Sequence, residues 1–179
     1  MRSVADFYQD CISAVGQQPP LDVQLPDAVG CVLAEDVEAP FNLPVADLAA
    51  CDGYAVAAAD LEGARPDAPV VLPVTEEIRA GDIHPAALIR GRAIRIASGA
   101  PMPQGADAVL ALEFSDHGIS KVSAKTQPAV GENIRRKAED VEEGSVVLRA
   151  GTRVGARQVA LLAGVGRSRV LVHPRPRVV

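Results

Sequence analysis

The sequence predicts a mostly β chain with a few helices (α+β), its short strands forming bent or barrel-like sheets. Three observations carry that expectation. Apolar residues recur at helical spacing in only two places, whereas short apolar or alternating runs recur along most of the chain. Gly and Pro number 15 and 14 among 179 residues, so turns are frequent. The strands are short and few helices separate them, which disfavours alternating βαβ units on a parallel sheet. With 48% apolar residues the chain can bury a core, as one sizeable domain or two small ones.

Val4, Phe7, Tyr8, Cys11, Ile12 and Val15 define the first element, an amphipathic helix that Ser3 can cap and Gly16 can end. Leu21, Val23 and Leu25 then alternate with polar residues. Asp27 can open a single turn, and 31–37 reads as a short strand ahead of Pro40 and Pro44. Further strands are expected at 54–57, 70–74, 92–97, 108–114, 118–123, 145–149 and 169–172, each bounded by Gly, Pro or Asp. The polar stretch 57–67 reads as a long loop or hinge. A second helix is expected at 157–163, between Gly155 and Gly164. The last residues, 173–179, read as a Pro-rich linker and the start of a strand with nothing to pair with. A piece of a longer protein, cut at a domain boundary, is the expectation.

Several function classes lose support from composition. A net charge of −5 has the wrong sign for general nucleic-acid or anionic-membrane binding, so any anion must be held by a local cluster. Aromatics are 3% with no Trp, leaving little for base or sugar stacking. Cys11, Cys31 and Cys51 form no CxxC pair, which suits a reducing compartment better than a disulfide or zinc framework. The N-terminal stretch carries Asp6, Gln9 and Asp10 where a signal peptide needs an apolar run. A soluble, cytoplasmic protein is expected, with no membrane and no nucleic-acid partner. P-loop, dinucleotide-fingerprint, HExxH and GxSxG motifs are absent from the sequence, and His84, His117 and His173 stand apart.

Three segments remain that can carry chemistry. Asp52-Gly53-Tyr54-Ala55-Val56 places an acid before a glycine that opens a strand, where glycine permits positive φ or a close approach. Ile96-Ala97-Ser98-Gly99-Ala100-Pro101 runs a strand into a Gly/Pro loop whose N–H groups, with Ser98, can cradle an oxyanion. The stretch 131–144 follows Arg135, Arg136 and Lys137 with Glu139, Asp140, Glu142 and Glu143. Arginine forks suit phosphate, and carboxylate oxygens suit Mg²⁺. Taken singly, each segment is better explained as an ordinary turn or a solvated, ion-paired surface loop than as a functional site.

In order and at their spacings, these segments resemble the molybdopterin molybdenumtransferase family, the bacterial MoeA and gephyrin E-domain proteins. The resemblance runs through LPVADLAACDGYAV, AGD at 80–82, IRIASGAPMPQGADAVLALE, GENIRRKAEDVEEGSVVLRAGTRV and PRPRVV. It implies the fold of that family's N-terminal region, two interwoven modules with bent, bifurcated sheets. One would be an elongated dimerisation module (1–26, 45–52 and 131–179) and the other a β-rich lid (27–44 and 53–130). The family's downstream α/β and β-barrel domains lie outside this sequence.

What the resemblance implies about activity is insertion of molybdate into the dithiolene of adenylylated molybdopterin, with release of AMP and with Mg²⁺ as cofactor. Dianionic molybdate meets a substrate already carrying phosphate charge, so cations and a metal must offset their repulsion. Matched motif by motif, Asp52, Ser98 and Asp140 fall on catalytic positions, with Ser98 where Thr is usual. Arg135 and Arg136 fall on substrate-binding positions, and Asp52 and Asp140 are the metal candidates. A homodimer is implied, with an anionic small-molecule substrate and the molybdopterin adenylyltransferase as a further partner. The fragment alone is expected to be inactive, because half of the cleft comes from the α/β domain. Leu48, Ala49, Ala50 and Cys51 replace the usual Asn-Ser-Ala-Met, and Ala138 replaces a usual Gly. Those departures keep open a non-catalytic dimerisation scaffold or a degenerate paralogue, and a stand-alone oxyanion binder is a weaker alternative.

Overall fold

The computed structural model describes residues 2–83, 85 and 87–176. In chain order its elements are α1 (Val4–Ser13), β1 (Leu21–Gln24), β2 (Val32–Leu33), β3 (Val37–Glu38), β4 (Leu48–Ala49), β5 (Gly53–Val56), β6 (Val70–Ile78), β7 (Ala93–Ile96), β8 (Ala108–Ala111), β9 (Lys121–Ala124), β10 (Ile134–Arg135), β11 (Val146–Leu148), α2 (Ala156–Gly164) and β12 (Arg169–His173). Short 3-10 turns occupy Ala58–Leu61 and Leu112–Phe114. The regular elements of the described residues are thus mostly strands, with two α-helices, as expected. Two compact units divide it: residues up to Phe41 together with those from Glu143, and the uninterrupted stretch Asn42–Glu142. No helix among the described residues is long and apolar enough to cross a membrane.

In the discontinuous unit, β12 is the centre of an antiparallel sheet between β1 and β2, with Val23 opposite Val170 and Leu33 opposite Val172. Leu25, Leu33, Val37, Val154, Leu162, Val170 and Val172 form its core. The expected strand 31–37 is instead two short strands. Asp36 breaks it by turning its carboxylate to accept the Ala150 N–H at 2.7 Å. At α1, Ser3 Oγ accepts the Asp6 N–H and the Asp6 carboxylate accepts the Ser3 N–H, a reciprocal cap. None of its residues is buried: Val4, Phe7, Tyr8 and Ile12 are all exposed.

The uninterrupted unit is built on a five-stranded sheet of order β8-β5-β7-β6-β9, antiparallel except between β6 and β7. Interior β5, between β8 and β7, is buried at every position. Tyr54 and Val56 pack with Leu61, Leu72, Leu110 and Val122, while Ala55 packs on the other side with Ile78, Ile94, Ile96 and Val109. A strand covered on both faces needs apolar residues throughout, so GYAV shows no alternation. The Tyr54 hydroxyl finds its acceptor in Gly118 O at 2.9 Å.

Several boundaries differ from expectation for local reasons. The strand expected at 70–74 continues to Ile78 because it changes partner, pairing with β9 through Pro73 and with β7 from Val74. The one expected at 108–114 ends at Ala111, where Leu112 O accepts both the N–H and the hydroxyl of Ser115 and so starts a turn. The one expected from Gly118 begins at Lys121: Asp116 Oδ1 accepts the N–H groups of Gly118 and Ser123, folding 116–120 into a turn. Within the supposed loop 57–67, Ala58 N–H donates to Asp107 Oδ1 at 2.7 Å and Leu61 is fully buried. His84 and the end of the expected C-terminal strand, 177–179, lie outside the described residues.

Candidate functional site

The site begins with β4, two residues with hydrogen-bonded neighbours on both edges. On one side Ala49 N–H donates to Ala100 O and Ala49 O accepts from Gly99 N–H, at 2.9 and 2.8 Å. On the other, Leu48 and Ala49 stand in register with Arg135 and Ile134 of β10. Two loops far apart in sequence, 98–101 and 131–140, are thereby held against one short strand. Asn133 completes the frame in a left-handed conformation (φ 57°), which Asn tolerates, its Nδ2 donating to Val109 O and its carbonyl accepting from Ala50 N–H.

Asp52 Oδ1 accepts the Ser98 N–H at 2.7 Å, and Ser98 Oγ donates to Ala50 O at a longer 3.3 Å. The acid before the strand and the hydroxyl of the Gly/Pro loop therefore form one unit. The loop does not offer its backbone as an oxyanion cradle, however. Ser98, Gly99 and Ala100 N–H groups are spent on Asp52, Ala49 O and Ala97 O. That leaves the Ser98 hydroxyl as the loop's adaptable donor.

A cavity of about 330 Å³ is lined by Ser98 and Gly99, by Leu48, Ala49 and Ala50, and by Arg135 and Glu139. Arg135 is ion-paired with Asp140, which raises the guanidinium's already high pKa. Both side chains are about half exposed, so solvent weakens the pair and an incoming anion can compete for the guanidinium. Asp140 reaches this cavity through Arg135 and is not among its lining residues. Arg136 turns to Asp47 instead, with Nη1 2.7 Å from Oδ2. Asp47 Oδ1 also accepts the Lys137 N–H at 2.8 Å, and these bonds, the backbone one first, hold its carboxyl below the usual range.

A larger cavity, about 640 Å³, is bounded by Cys51, Asp52, Glu113, His117 and Glu132. A small one of about 120 Å³ sets Asp52 beside Glu77 and Arg95. Burial, then the charges of Asp52, Glu113 and Glu132, push the Cys51 thiol up, so it stays protonated and is a poor nucleophile at neutral pH. Among the described residues, no group of three or more His, Cys, Asp or Glu could hold a metal ion.

Of the residues singled out from sequence, Asp52 and Ser98 are bonded to each other, Ser98 and Arg135 share a cavity, and Asp140 pairs with Arg135. Arg136 lines none of these cavities. Asp47 escaped sequence reasoning, since one acid between Ala46 and Leu48 carries no signal until β4 and β10 are in register. Ala138 adopts φ 64°, the left-handed region in which Ala is strained, so that its N–H can reach Pro44 O at 3.0 Å. Ala138→Gly is therefore expected to stabilise the chain by about 1 kcal/mol. Thermal denaturation should read this as a rise of roughly 3 °C.

The sequence profile of the MoeA N-terminal region (domain I and II) matches residues 2–166. Molybdopterin molybdenumtransferase 2 of Mycobacterium tuberculosis (strain CDC 1551 / Oshkosh) is 42% identical over 178 residues, covering 99% of this chain and 44% of the relative. The molybdopterin molybdenumtransferase of Bacillus subtilis (strain 168) is 39% identical over 160 residues, 87% of this chain and 37% of its own. The crystal structure of the molybdopterin biosynthesis moeA protein from Pyrococcus horikoshii OT3 superposes with a TM-score of 0.83 at 38% identity, over 89% of this chain and 43% of that one. The chain thus spans less than half the length of these relatives. With the profile match and the superposition both covering most of its residues, the chain belongs to the MoeA N-terminal region family.

Proposed function

We propose that this chain acts in molybdenum cofactor biosynthesis as the N-terminal, substrate-cleft part of an enzyme that inserts molybdate into adenylylated molybdopterin and releases AMP. The observation that carries this reading is the cavity shared by Ser98 and Arg135, with Asp52 bonded to Ser98 at its edge. Relatives named molybdopterin molybdenumtransferase support it along nearly the whole chain.

In this reading Arg135 releases Asp140 to meet an oxyanion with a charge-assisted fork, and the Ser98 hydroxyl swings from Ala50 O to the same anion. Asp52 keeps the Ser98 loop in place. Before an anion arrives Mg²⁺ fits Asp52 better than Asp140: Asp52 Oδ2 has no partner among the described residues, whereas Asp140 is paired with Arg135 until an anion takes its place. One carboxylate is commonly all that a protein gives Mg²⁺, with waters and substrate phosphate completing the shell. A cation held there would offset the charge of phosphate and molybdate as they approach.

Homodimerisation belongs to the same proposal, and the exposed apolar residues of α1 support it. A scaffold or degenerate paralogue is the second reading. It is favoured by Leu48, Ala49 and Ala50, which line the anion cavity without a polar side chain. One assay separates the two. A full-length protein carrying this sequence, given adenylylated molybdopterin, molybdate and Mg²⁺, is expected to release AMP in a molybdate-dependent manner and to activate an apo-molybdoenzyme, while residues 1–179 alone do neither. A full-length protein that dimerises yet releases no AMP would establish the scaffold reading instead.

A further inference from the structure

Arg135 ends β10 and Arg136 follows it directly, yet their side chains go to different partners. Arg135 lines the cavity of Ser98, while Arg136 is drawn to Asp47. Asp47 immediately precedes β4, so continuing the β4–β10 register by one step sets it opposite Arg136. Its two oxygens are used separately, Oδ2 for the guanidinium and Oδ1 for the Lys137 N–H. Its carbonyl accepts the Met102 N–H at 2.9 Å, tying the same residue to the chain that leaves the Ser98 loop. Two further features keep Arg136 in place. Gly131 leaves room for it, since a Cβ there would lie 2.9 Å from Nη2, and Glu139 accepts its N–H at 2.8 Å.

We propose that Asp47 is a positioning residue for the anion cavity: by clamping Arg136 and the Lys137 N–H it fixes the end of β10, and so aims Arg135 at the Ser98 loop. This rests on reading that cavity as an anion site. Arg136 is then the anchor of the pair and Arg135 the ligand-facing member. Asp47 touches no ligand and acts through Arg135. A guanidinium fork is worth most when its plane is fixed, so slack at the end of β10 weakens binding even with Arg135 unchanged.

Calorimetric titration of molybdate into a full-length protein carrying this sequence tests this, read as a dissociation constant per folded molecule, with folding followed by circular dichroism. Asp47→Ala is expected to weaken binding about tenfold. Asp47→Asn, whose amide oxygen still accepts the Lys137 N–H, should weaken it about threefold and covers the case that the alanine variant fails to fold. In an Arg135→Lys background, where a flexible point charge replaces the fork, the penalty of either substitution should shrink below about twofold. A residue that merely supported the fold would not lose its effect there. Wild-type affinity in Asp47→Ala and Asp47→Asn, or an undiminished penalty in the Arg135→Lys background, overturns the role of Asp47 alone. A wild-type full-length protein with no saturable molybdate binding overturns the reading of the cavity, and this proposal with it.

Discussion

Gly53→Ala is expected to destabilise the chain by about 3 kcal/mol, at the upper end of ordinary overpacking. A Cβ at this position would overlap the carbonyl oxygen of Leu110 and lie 3.0 Å from Val109 Cγ1. Leu110 belongs to β8, the hydrogen-bonded neighbour of β5, so the obstacle is backbone and cannot rotate away. Relief requires β5 and β8 to separate where Asp52 leads into the sheet, which also disturbs the Asp52–Ser98 bond. Thermal denaturation should show a fall of roughly 10 °C in Tm. A change of less than about 2 °C would mean that the strands part freely here.

Asp52→Asn should leave stability nearly unchanged and still lower molybdate-dependent AMP release by full-length protein about 100-fold or more. The asparagine oxygen can accept the Ser98 N–H as the carboxylate does, so the loop keeps its place. What disappears is the negative charge bordering two cavities, and with it the proposed hold on a divalent cation. The loss should therefore be partly recovered at high Mg²⁺. Wild-type AMP release at low Mg²⁺ would remove Asp52 from the proposed chemistry.

These two residues also mark how far sequence alone reaches. DGYAV is legible as a glycine opening a strand, yet two causes for that glycine remain until β8 is seen beside it. The helix at Val4–Ser13 is legible from its apolar spacing and its Ser3 cap, because both are local. That its apolar side stays uncovered is not local, and no periodicity encodes it. β4 and β10, two residues each, have no pattern to detect and exist only because they pair with each other. Asp47 inherits that difficulty. Arg136 shows the converse limit, since adjacent cations in a motif look equivalent until the structure lines a cavity with one and ties the other to Asp47.

The way β4 is held has a consequence for how this protein can change over evolutionary time. Its grip on both flanking loops is made of peptide groups, which every residue except proline carries at both ends. Side chains at half-buried Leu48 and exposed Ala50 can therefore be exchanged without moving the pocket walls, whereas Ala49 is held by the core, so drift at those two positions alters the chemistry of the lining and leaves its geometry intact. If the cavity takes the proposed oxyanion, a lineage could retune its preference through those two positions while keeping one unchanging scaffold.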